Sequence, residues 1–144
     1  EILDFATGVV DSSGQGTFQF SNAVNGVDYY IQTEHRNSLE TWSNSPQQFT
    51  SSAMSYNFTT ALAQAYGENM IQTDASPVRF AFYSGDVNQD GIIDAGDLSH
   101  VENDALNSLS GYEQTDVTGD DFVDAGDVSI VENNVALGVS VITP

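Results

Sequence analysis

Asp86-Val-Asn-Gln-Asp-Gly-Ile-Ile-Asp-Ala-Gly-Asp97 and Asp116-Val-Thr-Gly-Asp-Asp-Phe-Val-Asp-Ala-Gly-Asp127 are two loop-like stretches that begin 30 residues apart. Eleven of the nineteen positions from Asp86 to Asp104 recur identically in Asp116 to Asn134. Each stretch carries oxygen-bearing side chains at positions 1, 3, 5, 9 and 12. That spacing wraps a short chain around one hard cation, and the backbone carbonyl of position 7 adds another oxygen. In the first loop the expected side-chain ligands are Asp86, Asn88, Asp90, Asp94 and Asp97, with the carbonyl of Ile92. In the second they are Asp116, Thr118, Asp120, Asp124 and Asp127, with the carbonyl of Phe122. Ca²⁺ is the expected cofactor at both sites, because many charged ligands on a flexible loop suit its large coordination shell better than that of Mg²⁺.

Asp97 and Asp127 are the expected bidentate ligands, each one methylene shorter than the usual Glu, so the following helix must approach the ion more closely. Loop two departs from the pattern at Thr118, a neutral ligand weaker than Asn88, and at Asp121, which replaces the glycine of position 6. That position needs a positive φ, at a cost to Asp of about 1 kcal/mol. Loop two therefore reads as the weaker site. Asp94-x-x-Asp97 and Asp124-x-x-Asp127 also fit helix capping boxes. Capping accounts for two acids per loop and leaves those at positions 1 and 5 unexplained.

One helix is expected after each loop. Leu98, Val101 and Ala105 recur at i, i+3 and i+7, as do Val128, Val131 and Val135, giving each helix a narrow apolar stripe. Ile93 and Val123 stand at loop position 8, where paired calcium loops bridge side by side. The two stripes should pack on each other as a small bundle with little core of its own. Gly138–Thr143 reads as a short terminal strand.

The first 84 residues read as β. Ile2–Val10 is apolar and β-branched, Asp11–Gly16 is a turn by composition, and Thr17–Ser21 alternates with Phe18 and Phe20 on one face. Asp28–Glu34 alternates again, Ser55–Thr59 reads as a strand, Thr60–Tyr66 as a short helical turn and Val78–Tyr83 as a strand. The fold expected is thus mainly an antiparallel, Ig-like β-sandwich over residues 1–84, then a small α domain with two calcium loop-helix motifs over residues 85–144. Five or six strands are few for a closed sandwich, so the first domain can be one that lacks a strand.

Charge and composition exclude several roles. There are 21 acidic residues against two arginines, no lysine and no cysteine, for a formal net charge of −19. No basic patch can be built for nucleic acid or an anionic membrane surface. Disulfides and thiolate metal sites are absent, and without lysine no Lys–Asn isopeptide crosslink can form. Residues 1–84 hold eight acids and both arginines, net −6, whereas residues 85–144 hold thirteen acids and no base, net −13. A segment so charged repels itself unless cations neutralise it. No apolar run reaches the roughly 18 to 20 residues that span a bilayer. Because the sequence begins at Glu1 rather than Met, it reads as a processed or excised product, from which any secretion signal is already gone.

A calcium loop followed by one helix, doubled and lacking the preceding helix of an EF-hand, resembles the dockerin module of secreted bacterial proteins; the resemblance covers residues 85–137. It implies docking onto a cohesin domain through loop positions 10 and 11, often Ser-Thr, which here are Ala95-Gly96 and Ala125-Gly126 and offer no hydroxyl. The preceding region is similar to C-terminal modules of large bacterial cell-surface proteins, in which a prealbumin-like or Cna-B-like sandwich is fused to a dockerin-like pair. Residues 29–31, 35–37, 40–43, 64–67 and 83–88 carry that likeness. It implies a non-catalytic, extracellular or cell-surface role, with an additional strand before the segment corresponding to Ile2–Val10.

Other constellations carry less. Glu34, His35, Arg36 and Glu40 read as an ion-paired strand end, with Arg36 between the two glutamates, rather than as an acid–base site. His100 aligns with Ile130 and reads as a semi-buried helix residue. Trp42, Tyr66 and Tyr112 could stack on sugars, but packing explains them more simply. Asn57-Phe-Thr59 is a lone glycosylation sequon. With no phosphate loop, nucleophile elbow or histidine metal motif, no enzyme is expected. The leading functional expectation is a calcium-stabilised structural module that self-assembles into a surface fibre by strand donation, the apolar ends Ile2–Val10 and Gly138–Thr143 being the candidate donors. Its partners would be other copies of itself or another surface protein. The alternatives are a dockerin-type docking module for a cohesin-like partner and a carbohydrate-binding surface module.

Overall fold

The computed structural model describes residues 2–144, which form six short strands and two helices and separate into two compact units. The strands form three two-stranded antiparallel ladders in place of the expected sandwich. The first unit comprises the described part of Glu1–Tyr29 together with Pro46–Tyr56; the second comprises Tyr30–Ser45 and Asn57–Pro144.

In the first unit, β1 (Asp28–Tyr29) pairs with β4 (Gln47–Gln48). Phe49 packs edge-on against Phe20 and Tyr29, with ring centroids 6.2 and 6.3 Å away. The expected turn forms: Asp11 accepts backbone N–H bonds from Ser13 at 2.8 Å and Gln15 at 3.1 Å. Ile2–Val10 and Thr17–Ser21, expected as strands, join no ladder. The two segments meet across that turn, with the Asn22 N–H donating to the Asp4 carboxylate at 2.7 Å, but no backbone ladder forms between them. Ile2, Phe5 and Val9 remain 67%, 80% and 90% exposed.

The second unit holds every fully buried large side chain among the described residues. Here β2 (Gln32–His35) pairs with β3 (Ser38–Trp42) across the turn Arg36-Asn37, and β5 (Ile71–Ala75) pairs with β6 (Val78–Ala81). The strand expected at Ser55–Thr59 is instead a 3₁₀ turn, Phe58–Thr60. The Asn57 side chain accepts the Thr59 N–H at 2.9 Å and so caps the turn in competition with an extended ladder. A further 3₁₀ turn at Leu62–Gln64 falls within the expected helical stretch, and another at Tyr66–Glu68 runs beyond its end.

The helices follow the loops as the stripes require: α1 spans Ala95–Leu106 and α2 spans Ala125–Leu137. Val101 and Val131, the central stripe residues, are fully buried, and around them close Val87, Ile93 and Val123 from the loops. Leu39 of β3, also fully buried, completes this cluster. The core therefore includes a residue from before position 85, and the helical stripes are only part of it.

The calcium-type loops do not bridge one another at position 8. Ile93 donates its N–H to the Val139 carbonyl at 3.1 Å, and Val141 donates to Gly91 at 2.8 Å. Equivalently, Val123 donates to Leu109 at 2.9 Å and Gly111 to Asp121 at 2.8 Å. Each loop edge is thus covered by the segment that leaves the other repeat's helix. Gly138–Thr143 serves in this way through the single bridge Ile92–Ser140 rather than as a strand.

Candidate metal centre

Each loop is a cage of backbone N–H groups folded around two buried carboxylates, at positions 1 and 12. In loop one, Asp86 accepts N–H bonds from Asp90 and Gly91, both at 3.1 Å. Asp97, completely buried, accepts from Val87 at 2.9 Å, Asn88 at 3.2 Å and Asp94 at 3.0 Å. Loop two repeats the arrangement. Asp116 accepts from Gly119 at 2.7 Å and Asp121 at 3.1 Å, and Asp127 accepts from Val117 at 2.8 Å, Thr118 at 2.9 Å and Asp124 at 2.9 Å. Asp94 and Asp124 cap the helices by accepting from Gly96 and Gly126 at 2.6 and 2.7 Å. Both capping boxes form, so helix capping and the cage are functions of the same side chains.

The donor set of loop one fits Ca²⁺. Oxygens of Asp86, Asp90 and Asp97 all lie within 4.8 Å of one another. Oxygens sharing one calcium ion at about 2.4 Å can be no farther apart than about twice that distance. Three carboxylates gathered this closely repel one another. Burial pushes the Asp86 carboxyl above its ordinary range; the Gly91 N–H opposes this, while the charges of Asp97 and then Asp90 reinforce it. A divalent cation would remove that repulsion. In loop two burial also works to raise Asp116, but N–H bonds from Gly119, Asp121 and Asp120 and the Thr118 hydroxyl outweigh it, and the carboxyl sits below its ordinary value.

Two left-handed positions shape each loop. In loop one these are Gln89 (φ +59°) and Gly91 (φ +85°); in loop two, Gly119 (φ +77°) and Asp121 (φ +69°). Each loop therefore has one glycine and one non-glycine in this region, and the backbone strain assigned to loop two alone is shared by both. Gln89 is tied down: its amide donates to the Asp86 carbonyl at 2.5 Å and to the Ser38 carbonyl at 3.4 Å. Asp121→Gly should raise stability by up to about 1 kcal/mol. Gln89→Gly should give no gain, because it removes those bonds. Urea midpoints of the two variants check the contrast.

The other candidate residues are placed differently from their expected contacts. Arg36 is not held between Glu34 and Glu40. Its guanidinium donates to the carbonyls of Glu113 at 3.1 Å and Asp116 at 3.2 Å, and lies 4.0 Å over the Tyr112 ring. Glu34 instead accepts from Gln32 at 2.7 Å, and Glu40 accepts from the Trp42 indole. Burial, and after it the Arg36 charge, lower the His35 pKa, partly offset by a hydrogen bond with Asn37. His100 is exposed on α1 rather than semi-buried. Trp42 and Tyr66 are half-buried, and Tyr66 packs edge-on against Tyr30 at 6.2 Å.

Residues 84–136 match the family model of the dockerin type I domain. The chain thus carries a dockerin-like module, and its cofactor is Ca²⁺, held in paired loops as in that family. No curated protein and no solved structure matches the chain. Among the described residues, no helix is long and apolar enough to cross a membrane.

Proposed function

We propose that this chain is a non-catalytic, calcium-stabilised docking module of the extracellular or cell-surface space. The observation that carries this reading is the pair of buried carboxylate cages within the dockerin-like match. The ligands are Asp86, Asn88, Asp90, Asp94 and Asp97 with the Ile92 carbonyl, and Asp116, Thr118, Asp120, Asp124 and Asp127 with the Phe122 carbonyl. Residues 85–144 act as the calcium module. The partner is a cohesin-like domain, met on the exposed positions Ala95-Gly96 and Ala125-Gly126. Lacking hydroxyls, these positions favour a partner that contributes apolar surface rather than one that seeks side-chain hydrogen bonds. Biolayer interferometry of the whole chain against a panel of cohesin domains should give binding in calcium that is lost in chelator. Absence of binding across the panel in calcium would overturn the docking reading.

A second reading is favoured by a separate observation. Ile2–Val10 carries five exposed large apolar residues and has no ladder partner. Such a segment suits donation to a neighbouring copy, which propagates head to tail. Electron microscopy in calcium should then show fibres that disappear when residues 2–10 are deleted; particles that remain monomeric at all concentrations would exclude it.

A further inference from the structure

The turn between β2 and β3 touches the beginnings of both loops, and it does so with different chemistry at each. Toward loop one the contacts use main-chain atoms of the turn and β3: Gly85 donates to the Asn37 carbonyl at 2.6 Å, and Leu39 donates to the Tyr83 carbonyl at 2.8 Å. Toward loop two the contacts use side chains. The Asn37 amide donates to the Asp116 carbonyl at 2.7 Å, and the Arg36 guanidinium donates to the Asp116 and Glu113 carbonyls. One Arg36 nitrogen also lies 3.9 Å from the Asp116 carboxylate. Asn37 is buried at 3% exposure, and these partners are 77 to 80 residues away in sequence.

We propose that Arg36 and Asn37, which lie outside the dockerin-like match, are positioning residues for the second calcium loop, fixing its first residue before metal arrives. The inference rests on the calcium reading above for its effect on affinity, but the brace itself exists without the ion. Loop two begins at Asp116, whose carboxylate gathers the N–H groups of Gly119 to Asp121. A loop whose first residue is anchored loses less conformational freedom on closing around a cation, so anchoring raises affinity without adding a ligand. Loop one is anchored mainly through backbone atoms that survive side-chain replacement. Side-chain variants of the turn should therefore act on loop two alone.

The test uses the full chain and two variants that leave its charge unchanged. Asn37→Leu keeps the shape and removes the donor. Arg36→Lys keeps the positive charge and removes the planar fork that reaches two carbonyls. In chelator, amide hydrogen exchange of Gly119, Asp120 and Asp121 should accelerate about tenfold in either variant, while Asp90 and Gly91 remain unchanged. In a calcium titration followed by NMR, loop two should lose about tenfold in affinity and loop one should hold its wild-type value. Equal acceleration in both loops would show a merely structural turn and overturn the proposal, as would unchanged exchange in loop two. If neither loop of the wild type takes calcium, the calcium reading fails, while exchange in chelator still decides whether the brace exists.

Discussion

Removing calcium is expected to lower the melting temperature of this chain by roughly 10 to 25 °C. A ligand held at about 100 times its dissociation constant stabilises the folded state by about 2.7 kcal/mol per site, and two sites double that figure. For a chain of this size each kcal/mol moves the midpoint by about 2 to 5 °C. The structural basis is local. Residues 85–144 carry a net charge of −13, and Asp86, Asp97, Asp116 and Asp127 are almost wholly buried within the loops. The same loops supply Val87, Ile93 and Val123 to the core against which α1 and α2 pack. Loss of the cation should therefore loosen the helices as well as the loops. Far-ultraviolet circular dichroism with and without chelator reads both effects, and an unchanged melting curve would deny calcium its structural role.

Replacing the carboxylate at position 12 should cost nearly as much from a single atom group. Asp97 accepts three backbone N–H bonds and completes the α1 capping box, and Asp127 does the same for α2. Asp97→Ala strands those donors in a site with no solvent access, opens a cavity, removes the cap and deletes a proposed ligand. The expected loss is about 3 to 5 kcal/mol in calcium. In chelator the loss should shrink, because the ligand contribution has already gone while the N–H bonds remain. Urea unfolding of Asp97→Ala and Asp127→Ala in both conditions separates the two contributions. A loss that is the same with and without calcium would assign these residues to capping alone.

What the sequence made legible was what is local. The spacing of oxygen side chains, the stripe at Leu98, Val101 and Ala105, and the Asp-x-x-Asp caps all act within one or two turns of chain, and the loops and both helices stand where those patterns place them. The strain at Asp121 was visible because position 6 normally carries glycine. The matching strain at Gln89 was hidden, since position 4 has no such signature and only its bond to the Asp86 carbonyl shows why it is tolerated.

Contacts between distant segments were not legible. Alternation in Ile2–Val10 and Thr17–Ser21 describes the side chains of a strand but names no partner, and no ladder forms there. Arg36 stands between two glutamates in sequence yet reaches carbonyls near loop two, a choice set by tertiary packing rather than by neighbouring charge. Leu39 joins the core for the same reason. The crossed pairing of each loop with the segment after the other helix follows from the 30-residue repeat only once the two helices are packed.

The most direct test of the calcium centre is isothermal titration of the metal-free full chain with CaCl₂, alongside Asp97→Ala and Asp127→Ala. The expected result is two Ca²⁺ per chain for the wild type and one for each variant. A wild-type chain that binds no calcium, or variants that both still bind two ions, would contradict the assignment of the paired loops as the metal centre.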